Sequence, residues 1–164
     1  MKAISPVIAT VIIVSVAIAL AIAVALWITG VIGGLSKMER LDITAAYYNR
    51  DVNIDGTDCY EIVIEISNKG SVATTIDRIF VNNKPVNPTY GQISSVSNEA
   101  WNATCSGYSG CTLDTSSGEV TLQAGGGTEI RLYLAKGQYI SGQVVQIIVH
   151  TATGGEYPTQ VTLP

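Results

Sequence analysis

In "DVNIDGTD", residues 51–58, Asp51, Asn53 and Asp55 stand at alternate positions ahead of Gly56. Hard oxygen ligands at that spacing, with a glycine to turn the chain, are how a calcium loop opens. The acid that should close such a loop would fall at position 62, which is Ile62, and Glu61 comes one place early. The same residues also read as a polar turn between two strands. In "NATCSGYSGC", residues 102–111, two signals overlap. Asn102-Ala103-Thr104 is a glycosylation sequon, whereas Asn87 is followed by a proline that disqualifies it. Cys105 and Cys111 flank a flexible insert that can close as a small disulfide loop, and a bridge involving Cys59 is the alternative. The three cysteines have no zinc spacing, and the single histidine, His150, lies far along the chain. His150 ends the apolar run "VVQIIVH" and reads as a strand-end surface residue. "AGGGT", residues 124–128, lies between two expected strands, so it is a loop and not a phosphate cradle. With no Ser/His/Asp ordering either, neither catalysis nor a cofactor is expected.

The elements that must carry these residues divide sharply. The chain of 164 residues is 47% hydrophobic and only 13% charged, against roughly 25% charged in ordinary soluble domains. Its net charge of −4, with no basic cluster, excludes a nucleic-acid partner. No charged side chain lies between Lys2 and Lys37, and every acidic residue lies at Glu39 or beyond. Residues 1–40 therefore form a short basic leader plus a hydrophobic helix, and residues 41–164 a separate head. If that head is exported, a disulfide is permitted.

The uncharged run, residues 3–36, would span about 50 Å as a helix at 1.5 Å per residue. That exceeds the roughly 20 residues needed to cross a bilayer. It is also longer than the apolar core of about 7–15 residues in a cleaved secretory signal. On a helix, Ala17, Ala21 and Ala25 form one ridge of small residues, and Ser15, Ala19 and Ala23 a second, roughly opposite. Ile18, Ile22 and Leu26, with Leu20 and Val24, form the bulky ridges between them. Small residues four apart let helix backbones approach closely where lipid offers no competing hydrophobic push. A lone anchor needs no such grooves. Grooves on opposite faces suit a helix with neighbours all round.

Beyond "KMERLD", residues 37–42, the period changes. "CYEIVIEIS" alternates Tyr60, Ile62, Ile64 and Ile66 against Glu61, Val63 and Glu65, a strand signal. "IFVNNKPV" reads as a hairpin around Asn82-Asn83, because asparagine tolerates the positive φ of tight turns. Further strands are expected near Glu119–Gln123, Thr128–Ala135, Gln143–Thr151 and, after the turn "ATGGEYP", Thr159–Leu163. Residues 87–118, rich in Ser, Gly, Asn and Thr, read as a long surface excursion. The fold expected is α+β: a long N-terminal helix followed by an antiparallel, immunoglobulin-like β-sandwich.

The start, "MKAISPVIATVIIVSVAIALAIAV", resembles the N-terminal domain of archaeal type IV pilins, in which a very short basic leader precedes a Ser-Pro-Val-Ile element and a long uncharged helix. The resemblance covers about residues 1 to 35. It implies cleavage by a prepilin peptidase at Lys2–Ala3 or Ala3–Ile4, residence in the membrane before assembly, and polymerisation with copies of itself by dedicated machinery. It implies an extracellular pilus that adheres to surfaces or other cells. Bacterial pilins carry a glutamate near the start of the mature chain. Here the first acid is Glu39, so no Glu–amine registration is implied. Ser5 and Pro6 suit the N-cap and first turn of the helix. The alternatives are a membrane-anchored extracellular binding domain and an archaellin, the subunit of a rotating filament, against which the "SPVI" start argues.

Overall fold

A computed structural model describes residues 6–35, 38–86, 88, 99–114 and 116–164. The expected cleavage positions Lys2, Ala3 and Ile4, and the N-cap Ser5, lie outside them. Two compact units result, one comprising the helix and the other spanning Glu39–Pro164. Helix α1, Pro6–Leu35, begins on the proline whose missing N–H is no loss in a first turn. It carries no acid in its first turn and no base in its last.

The head holds ten strands among the described residues: β1 (Leu41–Ile54), β2 (Thr57–Asn68), β3 (Thr74–Val81), β4 (Lys84–Val86), β5 (Glu99–Thr104), β6 (Cys111–Leu113), β7 (Val120–Leu122), β8 (Gly127–Ala135), β9 (Val144–Thr151) and β10 (Glu156–Thr162). One sheet has the order β1-β2-β8-β5 and the other β10-β9-β3-β7-β6, with β4 paired to β3. All of these strand pairs are antiparallel. The chain crosses from the first sheet to the second after β2, after β5 and again after β8, so each sheet is built from strands far apart in the sequence.

Local chemistry sets the turns. Asp55 (φ 49°) and Gly56 (φ 81°) join β1 to β2, with Ile54 opposite Thr57. Asn82 (φ 48°) and Asn83 (φ 64°) join β3 to β4, with Val81 opposite Lys84. Two successive positive φ values are what a two-residue hairpin turn of matching twist requires. The Asn82 side chain also accepts from the Gln146 amide at 3.1 Å, which ties the turn to β9.

One core fills the space between the sheets. Ile62, Ile64 and Ile66 of β2 and Ile130, Leu132 and Leu134 of β8 meet Ile76, Ile79 and Val81 of β3 and Val145, Ile147 and Val149 of β9. At about 25 cal/mol per Å² of apolar surface, this burial is the main force holding the head together.

Two expectations change, and one strand is new. Of the stretch 87–118, residues 87, 89–98 and 115 lie outside the described residues; the described part is no simple surface excursion, since it contributes β5 and β6, and Trp101 is 1% exposed within the core. The Trp101 indole donates to the Val86 carbonyl at 3.0 Å, so burial leaves no orphan donor. "ATGGEYP" does not stay a turn to its end, because β10 starts at Glu156 and contains Pro158. Proline is tolerated there because β10 is an edge strand, where a missing ladder donor costs little. Residues 41–54, for which the sequence reading names no strand, form β1, the longest strand of the head.

Candidate functional site

Along α1 the apolar surface is continuous. Val7, Ile12, Leu20, Leu26 and Trp27 are all exposed, and the ridges Ala17–Ala21–Ala25 and Ser15–Ala19–Ala23 lie on the same exposed helix. Pro6–Val31 is long and apolar enough to cross a membrane. Its few hydroxyls are closed within the helix. Ser15 donates to the Val11 carbonyl at 2.7 Å, Thr10 to Val7 at 2.9 Å, and Thr29 to Leu26 and Ala25 at 3.0 and 3.1 Å. With these donors satisfied, every side of the helix can enter an apolar environment without an unpaired hydroxyl. A helix apolar all round must find cover from lipid or from protein.

In the head, the structure places Asp51, Asn53 and Asp55 in the β1–β2 hairpin. Asp51 pairs with Lys136 at 2.6 Å and accepts from the Tyr48 hydroxyl at 3.0 Å. The Lys136 hydrogen bond, helped by Tyr48, outweighs desolvation and holds the Asp51 carboxyl below its ordinary range. Asn53 donates to Asp58 at 2.6 Å and accepts from the Gly56 amide at 3.1 Å. Among the described residues no group of three or more His, Cys, Asp or Glu is placed to hold a metal.

Cys105 is bonded to Cys111, with their Cα atoms 5.4 Å apart, and Cys59 is a buried free thiol. Burial pushes the Cys59 thiol up, and the charge of Asp58 adds to it. The disulfide loop packs onto "AGGGT": the Gln123 amide donates to the Gly110 carbonyl at 2.7 Å and the Gly127 amide to Ser109 at 3.3 Å. A Cβ at Gly126 would lie 2.7 Å from that Gly110 oxygen, closer than real contacts allow. The glycine run is thus a seat for the loop.

Asn102 of the sequon is half-buried on β5, the edge of the four-stranded sheet, opposite Arg131. With Trp101 turned inward, alternation turns Asn102 to the outer face. His150, expected at the surface, is partly covered: its Nδ1 lies 2.6 Å from Asp77 Oδ1, and its ring meets Phe80 edge-on.

Sequence reasoning missed the most heavily bonded carboxylate of the described residues. Glu61 on β2 is 1% exposed although it faces away from the core. Its Oε2 accepts from Arg50 Nε at 2.8 Å and Asn49 Nδ2 at 2.9 Å. Its Oε1 accepts from the Tyr133 hydroxyl at 3.1 Å and Arg131 Nη1 at 3.3 Å. Burial pushes this carboxyl up, but the bonds from Arg50, Tyr133 and Asn49, with the Arg50 charge, hold it below its ordinary range. Burial and the Glu61 charge push the Tyr133 phenol up to about 12. These residues pin β1, β2 and β8 together; Arg50 lies opposite Glu61 on one side and Tyr133 on the other.

No protein-family model matches the chain, and no curated relative matches it. Among solved structures, the archaellum periplasmic stator protein FlaG from Sulfolobus acidocaldarius is similar at 18% identity and a TM-score of 0.42, covering 75% of this chain and 99% of that one. The FlaF–FlaG stator complex of the same organism gives 19% identity, a TM-score of 0.39, and coverage of 73% and 90%. The Iho670 flagellar-like filament gives 14% identity, a TM-score of 0.41, and coverage of 97% and 98%. At these values the likenesses are too distant to transfer a function.

Proposed function

We propose that this chain is the structural subunit of an archaeal type IV pilus, polymerising through α1 with the sandwich heads on the outside. The observation that carries the reading is the helix: apolar on every side, closed to stray hydroxyls, and grooved on two opposite faces by small residues. Before assembly α1 lies in the membrane, with Lys2 on the cytoplasmic side. The prepilin peptidase removes the leader, and the assembly machinery then exchanges lipid contacts for contacts with neighbouring copies. The exported filament is non-enzymatic and adheres to surfaces or other cells. An exported head also accounts for the Cys105–Cys111 bond and for a sequon on its outer face.

Electron microscopy of material sheared from the cell surface tests the reading, with Ala21→Leu and Ala23→Leu each probing one groove. Filaments built from this chain are expected, and both variants should lose them while keeping subunit in the membrane. Subunit that never leaves the membrane would favour an anchored binding domain instead.

A further inference from the structure

The larger sheet has a break in the pairing along one side of its interior strand β3 that the assembly reading does not use. On one side β3 pairs with β9; on the other it pairs with β7 at Thr74–Ile76 and with β4 at Ile79–Val81. Asp77 and Arg78 fall between those two partners, where the register against β9 shifts. The gap opens as a cleft of about 410 Å³ lined by Asp77 and Arg78, by Pro85 of β4, by Pro88, and by Ser117 and Glu119 beside the β6–β7 turn. That volume is within the roughly 300–1,000 Å³ of small-molecule sites.

The lining selects a chemistry. Asp77 is held by His150 at its Oδ1, while its Oδ2 lies 3.8 Å from Arg78 Nε, beyond hydrogen-bond reach, and keeps acceptor capacity. The Arg78 side chain is 66% exposed, so its guanidinium donors reach a ligand without first leaving a buried site. Glu119 adds acceptors and Ser117 a hydroxyl that does both. Pro85 and Pro88 offer C–H ring faces. Two carboxylates repel an anion. The guanidinium repels a bare cation, and no cluster of three metal-binding groups exists among the described residues. A sugar hydroxyl both donates and accepts, and a pyranose ring has an aliphatic face. We infer that this cleft binds a neutral saccharide, with Asp77 and Glu119 accepting from its hydroxyls, Arg78 donating to them, and the prolines packing on the ring. The site lies wholly within the head, so the inference does not depend on polymerisation.

The test is saturation-transfer difference NMR on the full chain in detergent, using methyl glycosides of glucose, galactose, mannose and N-acetylglucosamine as probes. At least one should receive transfer. Arg78→Ala and Glu119→Gln should each weaken its affinity about tenfold, the usual effect of losing a hydrogen bond to a charged group. Ser117→Trp, which fills the cleft without removing a charge, should abolish transfer, and Gln160→Ala on β10 should leave it unchanged. Unaltered unfolding temperatures would keep misfolding out of the comparison. Absence of transfer from all four probes, or transfer that survives all three cleft variants, overturns the site. Saturable binding of methylammonium in place of any sugar would overturn it as well. Filament yield from the same variants is read separately, so failure of the site and failure of the pilus reading are distinguishable.

Discussion

Replacing Glu61 with glutamine keeps its volume and removes its charge. The carboxylate accepts four hydrogen bonds, two from guanidinium groups, while 1% exposed. Breaking a buried ion pair by removing one partner costs about 3–5 kcal/mol when the other charge is trapped. Here the Arg50 and Arg131 side chains are 63% and 38% exposed, so both can turn to water once released. The Tyr133 hydroxyl is less free, since Tyr133 is buried, and an unmet buried donor costs about 1–3 kcal/mol. A glutamine also presents an NH₂ to a site built wholly of donors. The expected loss is about 2–4 kcal/mol, or about 6–15 °C in unfolding temperature for a domain of this size. Arg50→Ala should cost less, about 1 kcal/mol, because Glu61 keeps three donors. The pH dependence follows from the direction of the shift. The Glu61 carboxyl is held below its ordinary range in the folded head. Its contribution is therefore complete above the unfolded value of about 4.3 and is lost as pH falls through the lower folded value. Thermal melts of the full chain in detergent, taken from neutral pH down to acid, read both effects. The gap between wild type and Glu61→Gln should close on acidification. A variant melting within about 1 °C of wild type at neutral pH, or a gap that widens in acid, would refute the reasoning.

Three further outcomes are expected. A peptide spanning Cys105 and Cys111 should run two daltons light and resist alkylation until reduced; closing so short a loop contributes about 2 kcal/mol by chain entropy, which Cys105→Ser with Cys111→Ser should remove from the melt. Intact mass of native filaments should show added mass at the sequon, lost in Asn102→Gln, and a bare Asn102 would remove the glycan from the proposal. Ala21→Leu and Ala23→Leu, each overpacking a groove by about 1–3 kcal/mol, should deplete the sheared filament fraction without reducing membrane-retained subunit; normal yield from both would mean the grooves are empty.

The fold was legible where a local pattern coincided with the tertiary role. β2 announced itself because Tyr60, Ile62, Ile64 and Ile66 alternate, and the Asn82-Asn83 turn because few residue pairs accept two positive φ values. β1 was hidden by its own irregularity. Register shifts between Ile43 and Ala45 and between Tyr48 and Arg50 break the period of two, and "NRDVN" is poor in strand formers. β5 has a single large apolar residue, Trp101, so six residues of it resemble a polar loop. Glu61 was invisible as a buried residue for a different reason. In the sequence it is the polar half of an alternating strand, and only the registers of β1 and β8 bring Arg50, Arg131 and Tyr133 to it.

In the proposed pilus, polymerisation cannot draw on the hydrophobic effect along α1, since lipid tails are as apolar as the side chains they would leave. What remains is closeness of approach and the number of neighbours. An alanine ridge brings two backbones nearer than a leucine ridge would, and the dispersion gained per atom pair is only about 0.1–0.2 kcal/mol. One groove against one neighbour gives a weak dimer. Two grooves on opposite faces, filled in every copy, multiply a small gain along the whole length of the helix. Ser15 fits this logic because its hydroxyl is tied back to Val11, so it is as small as its ridge partners Ala19 and Ala23 demand and presents no free donor to a neighbour. A ridge that donated outward would fix a neighbour by one polar contact. A ridge closed in this way leaves packing to set the spacing, and repeated packing is what a helical polymer of identical rods requires.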